Sequence, residues 1–534
     1  MPQKFNFNRS LSTGAFQLCL LLLAIPALLI NLGLMPLISD EPTRGIVSLE
    51  MLYSGDYIHP TINGELYFNK PPLFNWIQIF FIRLTGSTGE WVFRLPTILS
   101  TIALSLLIFY SGKKYLKEYS FIAAFSFIVA GRVLFWDSFM SLIDITYSLI
   151  TFGSFIWIIH FKQRNKYHLL FLGSYFLASL GYLMKGMPSI AFQGLSIVSV
   201  FAFDKSFRKL FSIKHLYGII LFVILVGGYY YVYNIDHPIL PVIERLISES
   251  NRFQDSSSNT IWWVHLFKFP LNLIYEFAPV TLLLFLLIST QVRENVFKER
   301  FFKYIGILFI VNIIIYWLSA NMRSRYLFML IPLLILILIQ AYKYAESQQN
   351  KIFLIIRNIF IIGSFIISVS ILVYPFWNET SEMKNVTVIC ILLFIASVSL
   401  SLAALRKKHF ALYALFAALL LARTAFNMFN LPARMNSYPD EGYRDGEIKA
   451  AQISMGKPLF VLGDTPINHD ASFYITRERK QLLKRDLTAS DADAYYITDQ
   501  ENLDTFAEKN IHFRKHHTFT IKFEETELFL VTRQ

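Results

Sequence analysis

The sequence predicts an all-α polytopic membrane protein with a small α/β domain at its C-terminal end. Three observations lead there. Of 534 residues, 54% are hydrophobic and 16% charged, against about 25% charged in ordinary soluble domains. The apolar residues gather in runs of about 17 to 22, the length that crosses a bilayer as a helix. After residue 430 the runs stop, and short β-rich segments punctuated by Gly, Asp and Asn replace them.

Thirteen spans are expected, near 14–37, 94–112, 119–135, 141–160, 168–184, 187–203, 216–233, 271–290, 304–320, 326–342, 353–374, 386–405 and 410–428. The first run is followed by no small-residue cleavage site, so it reads as a retained helix and not as a signal peptide. Alternate connecting loops are basic, as in Lys113, Lys114 and Lys117, or Arg406, Lys407 and Lys408. Lys4 and Arg9 share that side with them, which the positive-inside rule assigns to the cytoplasm. The net charge of +12 is therefore topogenic and gives no reason to expect nucleic acid. The two cysteines, Cys19 and Cys390, lie within apolar runs, which argues against a disulfide framework or a cysteine metal site.

Two domains are expected, a membrane domain over 1–429 and an extracytoplasmic α/β domain over 430–534. Loops 38–93 and 234–270 fall outside the membrane. In the first loop, Arg44 to Leu52 has helical spacing with Gly55 as its stop, and Pro72 to Leu84 is apolar but short, fitting an interfacial helix. In the C-terminal domain, 458–464, 471–477, 494–499 and 519–531 read as strands, with helices near 443–454 and 500–509. This domain has no Gly-rich phosphate loop, and its His469, His512, His516 and His517 lack metal-ligand spacing. A structural or substrate-guiding role is expected of it.

The chemistry-bearing residues cluster on the outer side. Asp40-Glu41 follows the first span directly. Asp before a helical run is a common N-cap, but ionisable groups at a membrane exit are costly and point to function. A carboxylate there can act as a general base. Tyr67-Phe68-Asn69-Lys70-Pro71-Pro72 sets a lysine on a rigid backbone at headgroup depth, suited to a lipid phosphate or to simple anchoring. Arg132, Asp137 and Asp144 follow, the two acids seven apart and so on one face of a helix. Lys185-Gly186-Met187-Pro188 forms an outer turn, and Arg323-Ser324-Arg325-Tyr326 another. Arginine forks in an outer turn match phosphate oxygens. Arg245, Arg252 and His265 are weaker candidates of the same kind.

Together these motifs resemble the GT-C glycosyltransferases that use polyprenyl-phosphate sugars, in particular the aminoarabinose lipid A transferase and protein O-mannosyltransferase group. The elements that carry the resemblance are Asp40-Glu41, Leu52 to Asp56, Tyr67 to Leu73, Arg94-Leu95-Pro96, Lys185 to Pro188, and Arg325, Tyr326 and Pro332. The resemblance implies a multi-pass enzyme of a bacterial cytoplasmic membrane. It would transfer one sugar from a polyprenyl-phosphate donor to a lipid, glycan or protein acceptor on the periplasmic face. It implies catalytic carboxylates among Asp40, Glu41, Asp137 and Asp144, with Asp137 slightly preferred over Asp144 as the second site acid. It implies donor-phosphate contacts from Lys70, Tyr67, Arg325, Tyr326, Arg323 and Lys185. Members of the aminoarabinose group carry an acid just before the lysine that can hold a divalent metal; here that position is Asn69, which argues against a metal at that point. The competing readings are a lipid or sugar transporter and an oligosaccharide polymerase or ligase.

Overall fold

The computed structural model describes residues 7–251, 262–319, 323–437, 440–521 and 525–534. Lys4, Arg252, residues 321–322 of the Arg323 turn and residues 522–524 of the expected 519–531 strand region lie outside them. Among the described residues, eight helical segments are long and apolar enough to cross a membrane: Glu90–Ile128, Ile143–Gln163, Tyr167–Lys185, Ile213–Asp236, Arg300–Trp317, Lys351–Phe376, Val386–Arg406 and Lys408–Met435. Shorter apolar helices cover Thr13–Leu29, Leu73–Thr85 and Pro188–Phe203. The chain is thus a multi-helix membrane protein.

The segments depart from regular helices where the sequence supplies a cause. Lys117, at φ +56°, turns the chain after Glu90–Leu116, and Ser120–Ile128 packs back against it. The expected span at 271–290 is divided: the helix Trp262–Glu276 ends shortly before Pro279, and Val280–Ile288 continues as 3-10 helix. The expected span at 326–342 opens as a 3-10 turn, Ser324–Leu327, before the helix Ile331–Ser347 with Pro332 in its first turn. That Ile331–Ser347 helix is almost wholly buried at the centre of the bundle.

The 38–93 loop is ordered. Its first helix runs Glu41–Ser54 and stops at Gly55, whose left-handed φ of +77° lets its N–H reach the Met51 carbonyl at 3.2 Å. A two-stranded hairpin follows, β1 (Thr61–Ile62) and β2 (Glu65–Leu66). Glu50 pins it, accepting from Thr61 Oγ1 at 2.7 Å and from the Asn63 and Gly64 N–H groups at 2.6 and 3.2 Å. The interfacial helix Leu73–Thr85 lies against Glu41–Ser54, tied to it by buried amides: Asn75 donates to the Arg44 carbonyl at 2.9 Å, and Gln78 accepts from Ser48 Oγ at 2.6 Å.

The C-terminal region folds on a five-stranded mixed sheet of order β4-β3-β5-β7-β6. Its strands are β3 (Leu459–Leu462), β4 (Lys484–Asp486), β5 (Tyr495–Thr498), β6 (Phe513–Thr520) and β7 (Glu527–Arg533). β3 pairs in parallel with β4 and β5, and β7 runs antiparallel between β5 and β6. One expectation is corrected here: 471–477 is not a strand but part of the helix His469–Arg479, capped by Asn468, whose side chain accepts from the Ala471 N–H. Residues 471–476 are all buried, so the run has no polar face to betray its period. Short apolar stretches rich in aromatic and β-branched residues cannot be told apart by pattern alone.

Candidate active site

The exit of the first span is built around a buried guanidinium. Arg94 is fully buried and donates to both oxygens of Glu41, at 2.9 and 3.0 Å, and to the carbonyls of Leu32, Met35 and Pro36 at 2.7 to 3.1 Å. Glu41 also accepts from the backbone N–H groups of Ile38 and Ser141 at 2.9 and 2.5 Å. A buried pair with its remaining hydrogen bonds satisfied is a structural clamp, since removing one partner strands a charge in low dielectric. Glu41 was expected from the sequence among the catalytic carboxylates; in the structure its carboxylate is enclosed and committed to this clamp.

Asp40, one residue earlier, faces the other way. It occupies the N-cap position of Glu41–Ser54 but makes no capping hydrogen bond. Its Oδ2 instead accepts from Arg325 Nη2 at 2.5 Å, with Arg323 Nη1 at 4.0 Å. Its side chain is 51% exposed, while Arg325 is 8% exposed. Burial works to raise the Asp40 pKa, but the charge and hydrogen bond of Arg325, with Arg44 and Arg323, outweigh it and hold the carboxyl below its ordinary value.

Arg325 bridges two acids. Its Nε lies 3.5 Å from Asp144 Oδ2, and Lys185 Nζ is 2.6 Å from Asp144 Oδ1. The Lys185 ammonium sits 4.4 Å above the Tyr326 ring, a cation–π arrangement that fixes both groups. These four residues come from three places in the chain: the start of Ile143–Gln163, the end of Tyr167–Lys185, and the Arg323–Leu327 turn.

The rigid Tyr67–Pro72 segment supplies the opposite wall. Tyr67 Oη accepts from Arg44 Nη2 at 2.5 Å, and the other terminal nitrogen of Arg44, Nη1, is buried without a partner. Lys70 Nζ lies 3.4 Å from Glu249 of the helix Leu240–Asn251. Burial, with Arg44 nearby, lowers the Lys70 pKa to about 8 against the opposing pull of Glu249. Asn69 Oδ1 accepts from Arg245 Nε at 2.5 Å, and Arg245 also reaches Glu249 at 3.5 Å. A guanidinium held on this carboxamide and carboxylate is the wrong neighbour for a divalent cation. Among the described residues no three His, Cys, Asp or Glu side chains are grouped to hold one.

Of the side chains named above, those of Asp40, Arg44, Tyr67, Asn69, Lys70, Asp144, Lys185, Glu249, Arg323, Arg325 and Tyr326 line one cavity of about 710 Å³. Its wall holds five cations (Arg44, Lys70, Lys185, Arg323 and Arg325) against the carboxylates of Asp40, Asp144 and Glu249. Asp137 does not line it. It is buried behind, held by Arg132 at 2.8 Å, with Glu276 on the far side of that arginine at 3.0 Å. Asp137 was preferred from the sequence as the second site acid; of the two, it is Asp144 that lines the cavity. His265, buried elsewhere, contacts the Tyr316 carbonyl at 3.4 Å.

Among the cavity residues not singled out from the sequence for this site are Arg44, Glu249 and His469. His469 belongs to the C-terminal domain. Its Nδ1 is 2.7 Å from Thr43 Oγ1, and burial with the nearby Arg44 charge lowers its pKa, leaving the ring neutral at pH 7. The helix that carries it is clamped to the membrane domain. A Cβ on Gly45 would meet the Phe473 ring at 2.7 Å, Tyr474 Oη accepts from the Leu37 N–H at 3.0 Å, and Arg477 pairs with Glu90 at 3.1 Å. The signal for Arg44 was present, as a cation four residues from Asp40 on the same helix. The signals for Glu249 and His469 were not, because their neighbours lie about 180 and 426 residues away in the chain.

The chain is similar to several known proteins. Residues 69–230 match the family model for dolichyl-phosphate-mannose-protein mannosyltransferase. An uncharacterized protein of Aquifex aeolicus is 25% identical over 225 residues, 40% of this chain and 43% of that protein. The undecaprenyl phosphate-alpha-4-amino-4-deoxy-L-arabinose arabinosyl transferase of Edwardsiella ictaluri is 35% identical over 78 residues, 15% of this chain and 14% of that protein. The chain thus spans less than half the length of these curated relatives. The crystal structure of ArnT from Cupriavidus metallidurans bound to undecaprenyl phosphate superposes with a TM-score of 0.69 at 16% identity, covering 96% of this chain and 97% of that one. Its apo state gives 0.65, also at 16% identity, covering 97% and 98%. The chain shares the fold of ArnT, and its segment 69–230 is similar to the dolichyl-phosphate-mannose-protein mannosyltransferase family.

Proposed function

We propose that this protein is an integral membrane glycosyltransferase that moves one sugar from a polyprenyl-phosphate carrier to an acceptor at the outer face of the membrane. The observation that carries the reading is the single cavity on which Asp40, held by Arg325, and the cations Lys70 and Arg44 converge. Support also comes from the carrier named in the ArnT structure and from the donors named for the matched family and the Edwardsiella relative. The pattern of basic loops supports a cavity on the periplasmic side of a bacterial cytoplasmic membrane.

The charges fit the reaction. A sugar phosphodiester enters with one negative charge. The acceptor oxygen forms a bond to the anomeric carbon, the carbon–oxygen bond to phosphate breaks, and the electron pair leaves on a phosphate monoester that carries two charges. A wall with an excess of two positive charges stabilises the product side of that change more than the reactant side, which is what lowers a barrier. Lys70 and the unpartnered Nη1 of Arg44 are the available donors for the phosphate. Asp40 keeps Oδ2 on Arg325, leaving Oδ1 to take the acceptor's proton. Arg325, pulled by Asp144 from behind, positions Asp40.

The volume fits this reading. About 710 Å³ is the size of a site for a drug-sized ligand, which suits a sugar phosphate and the end of an acceptor. The placement of the charges at one end of the bundle also supports it over a transporter, whose ionisable residues sit near the midplane. The test is sugar transfer in proteoliposomes with a labelled polyprenyl-phosphate sugar, comparing wild type with Asp40→Asn. Transfer by the wild type and its loss in a variant that still binds the lipid donor supports the reading. Full activity of Asp40→Asn would sink the base assignment.

A further inference from the structure

A second polar cavity, of about 540 Å³, opens at the opposite end of the bundle. It is lined by Lys114, Lys117 and Lys343, and by Arg300 and Glu299 at the start of Arg300–Trp317. Arg300 is already committed to Asp204 at 2.7 Å. The three lysines form no ion pair among the described residues; Lys343 donates to the Tyr115 carbonyl at 2.6 Å and Lys114 stands 5.3 Å over the Tyr115 ring. The floor is a stacked pair, Tyr115 on Phe301, with centroids 4.3 Å apart and planes 8° apart. Gln340 faces the cavity with its buried Oε1 unpartnered.

We propose that this cavity binds the headgroup of an anionic phospholipid. Basic pockets between membrane helices are suited to lipid phosphates. Gln340 Oε1 asks for a donor, which a headgroup hydroxyl such as that of phosphatidylglycerol supplies. The source is a lipid and not free phosphate because of what leads to the pocket. Ile102, Leu106, Tyr110 and Lys114 recur every fourth residue along one face of Glu90–Leu116, and the three apolar members are 40%, 51% and 65% exposed. That stripe runs from the bilayer core to the lysine, an acyl-chain track ending in a cation.

The site is linked to the candidate active site by one rigid element. The helix Ile331–Ser347 begins just after Arg325 and Tyr326 and carries Lys343 twelve residues on, about 18 Å along its axis. The lipid would fix the depth of that helix from the far side of the membrane.

The test is native mass spectrometry of the full chain after titration with phosphatidylglycerol or phosphatidylcholine in neutral detergent. Wild type is expected to hold phosphatidylglycerol at least about tenfold more tightly, and Lys114→Gln/Lys117→Gln/Lys343→Gln to lose the preference. A control, Lys205→Gln/Lys209→Gln, removes the same kind of charge from another basic loop and should keep it. Lys117→Gln alone, exposed at its turn, replaces the triple variant if that one fails to fold, with a smaller loss expected. No preference in wild type, or equal loss in the control, would overturn the proposal. Displacement of the lipid by inorganic phosphate at matching concentrations would overturn the lipid assignment in favour of a soluble phosphate.

Discussion

Lys70 offers the sharpest handle on the proposed chemistry because its charge is set by its surroundings. Burial and the nearby Arg44 lower its pKa to about 8, so in the free enzyme it is about nine-tenths protonated at pH 7 and about one-tenth at pH 9. If the ammonium holds the donor phosphate, kcat/KM for the donor falls roughly tenfold between those pH values. The sign follows from the group: a lysine is active when protonated, so the limb descends with rising pH. Bound phosphate brings a negative charge to the ammonium and raises its pKa, so the matching limb in kcat lies above that in kcat/KM. Lys70→Arg keeps a positive charge throughout and flattens the limb, while Lys70→Ala removes a charge-assisted hydrogen bond of about 1.5–3 kcal/mol, a loss of roughly 10- to 150-fold in kcat/KM. Glu249 retains Arg245 in either variant, so no carboxylate is stranded. Initial rates in proteoliposomes from pH 6 to 9.5 with a labelled lipid donor give the profiles. An unchanged limb in Lys70→Arg, or an unaltered donor kcat/KM in Lys70→Ala, would refute the assignment.

The neighbouring residues separate along the same lines. Asp40→Asn should lower kcat by about 10²–10⁴-fold, the usual scale for a general base, with little change in melting temperature, because the side chain is half exposed. Glu41→Ala should do the reverse of a catalytic variant: it leaves Arg94 buried without its carboxylate, costs about 3–5 kcal/mol, and shows first as lowered thermal stability or yield in detergent. His469→Ala should raise the acceptor KM more than the donor KM if the C-terminal domain completes the acceptor side of the cavity, and equal effects on both would reduce His469 to a contact of the domain junction. Cysteine-accessibility labelling of positions in loop 38–93 of a cysteine-free chain should succeed from outside the cell; labelling only from the cytoplasm would overturn the orientation and the site together.

How much of this was legible in the sequence depended on how local each cause was. The helix from Arg44 to its stop at Gly55, and the interfacial helix beginning near Pro72, follow from spacing and two backbone-setting residues. The cations of the Lys70, Lys185 and Arg325 turns were legible for a similar reason: short, charged outer turns next to apolar runs leave few other places for those side chains. The 471–477 helix was not legible, because it is buried on every side and its apolar run has no period to read. Glu249 and His469 were not legible as site residues at all. Nothing near them in sequence marks them; what brings them to the cavity is a helix packed across from Tyr67–Pro72 and a whole domain clamped through Phe473, Tyr474 and Arg477.

The acidic pair Asp40-Glu41 shows how far the surroundings of adjacent residues can diverge. Asp40 and Glu41 sit at the point where the chain enters a helix, and successive residues there project about 100° apart. One direction leads into the bundle, toward Arg94 and a ring of backbone carbonyls. The other leads into the outer cavity, toward Arg325. A carboxylate in the first direction is desolvated, so only a saturated ion pair makes it tolerable, and a saturated pair has no lone pair left for a substrate. A carboxylate in the second direction is half exposed and holds an arginine on one oxygen, which leaves the other oxygen for a base's work. The two functions also depend on each other. Glu41 and Arg94 fix the first turn of the helix, and that turn sets where Asp40 points. Disturbing the clamp by a volume-conserving Glu41→Gln should therefore lower kcat through misplacement of Asp40 even where the protein stays folded. The conservative Arg94→Lys should do the same, since one ammonium cannot serve five acceptors. A Glu41→Gln protein with normal stability and undiminished kcat would show that the clamp and the base are independent.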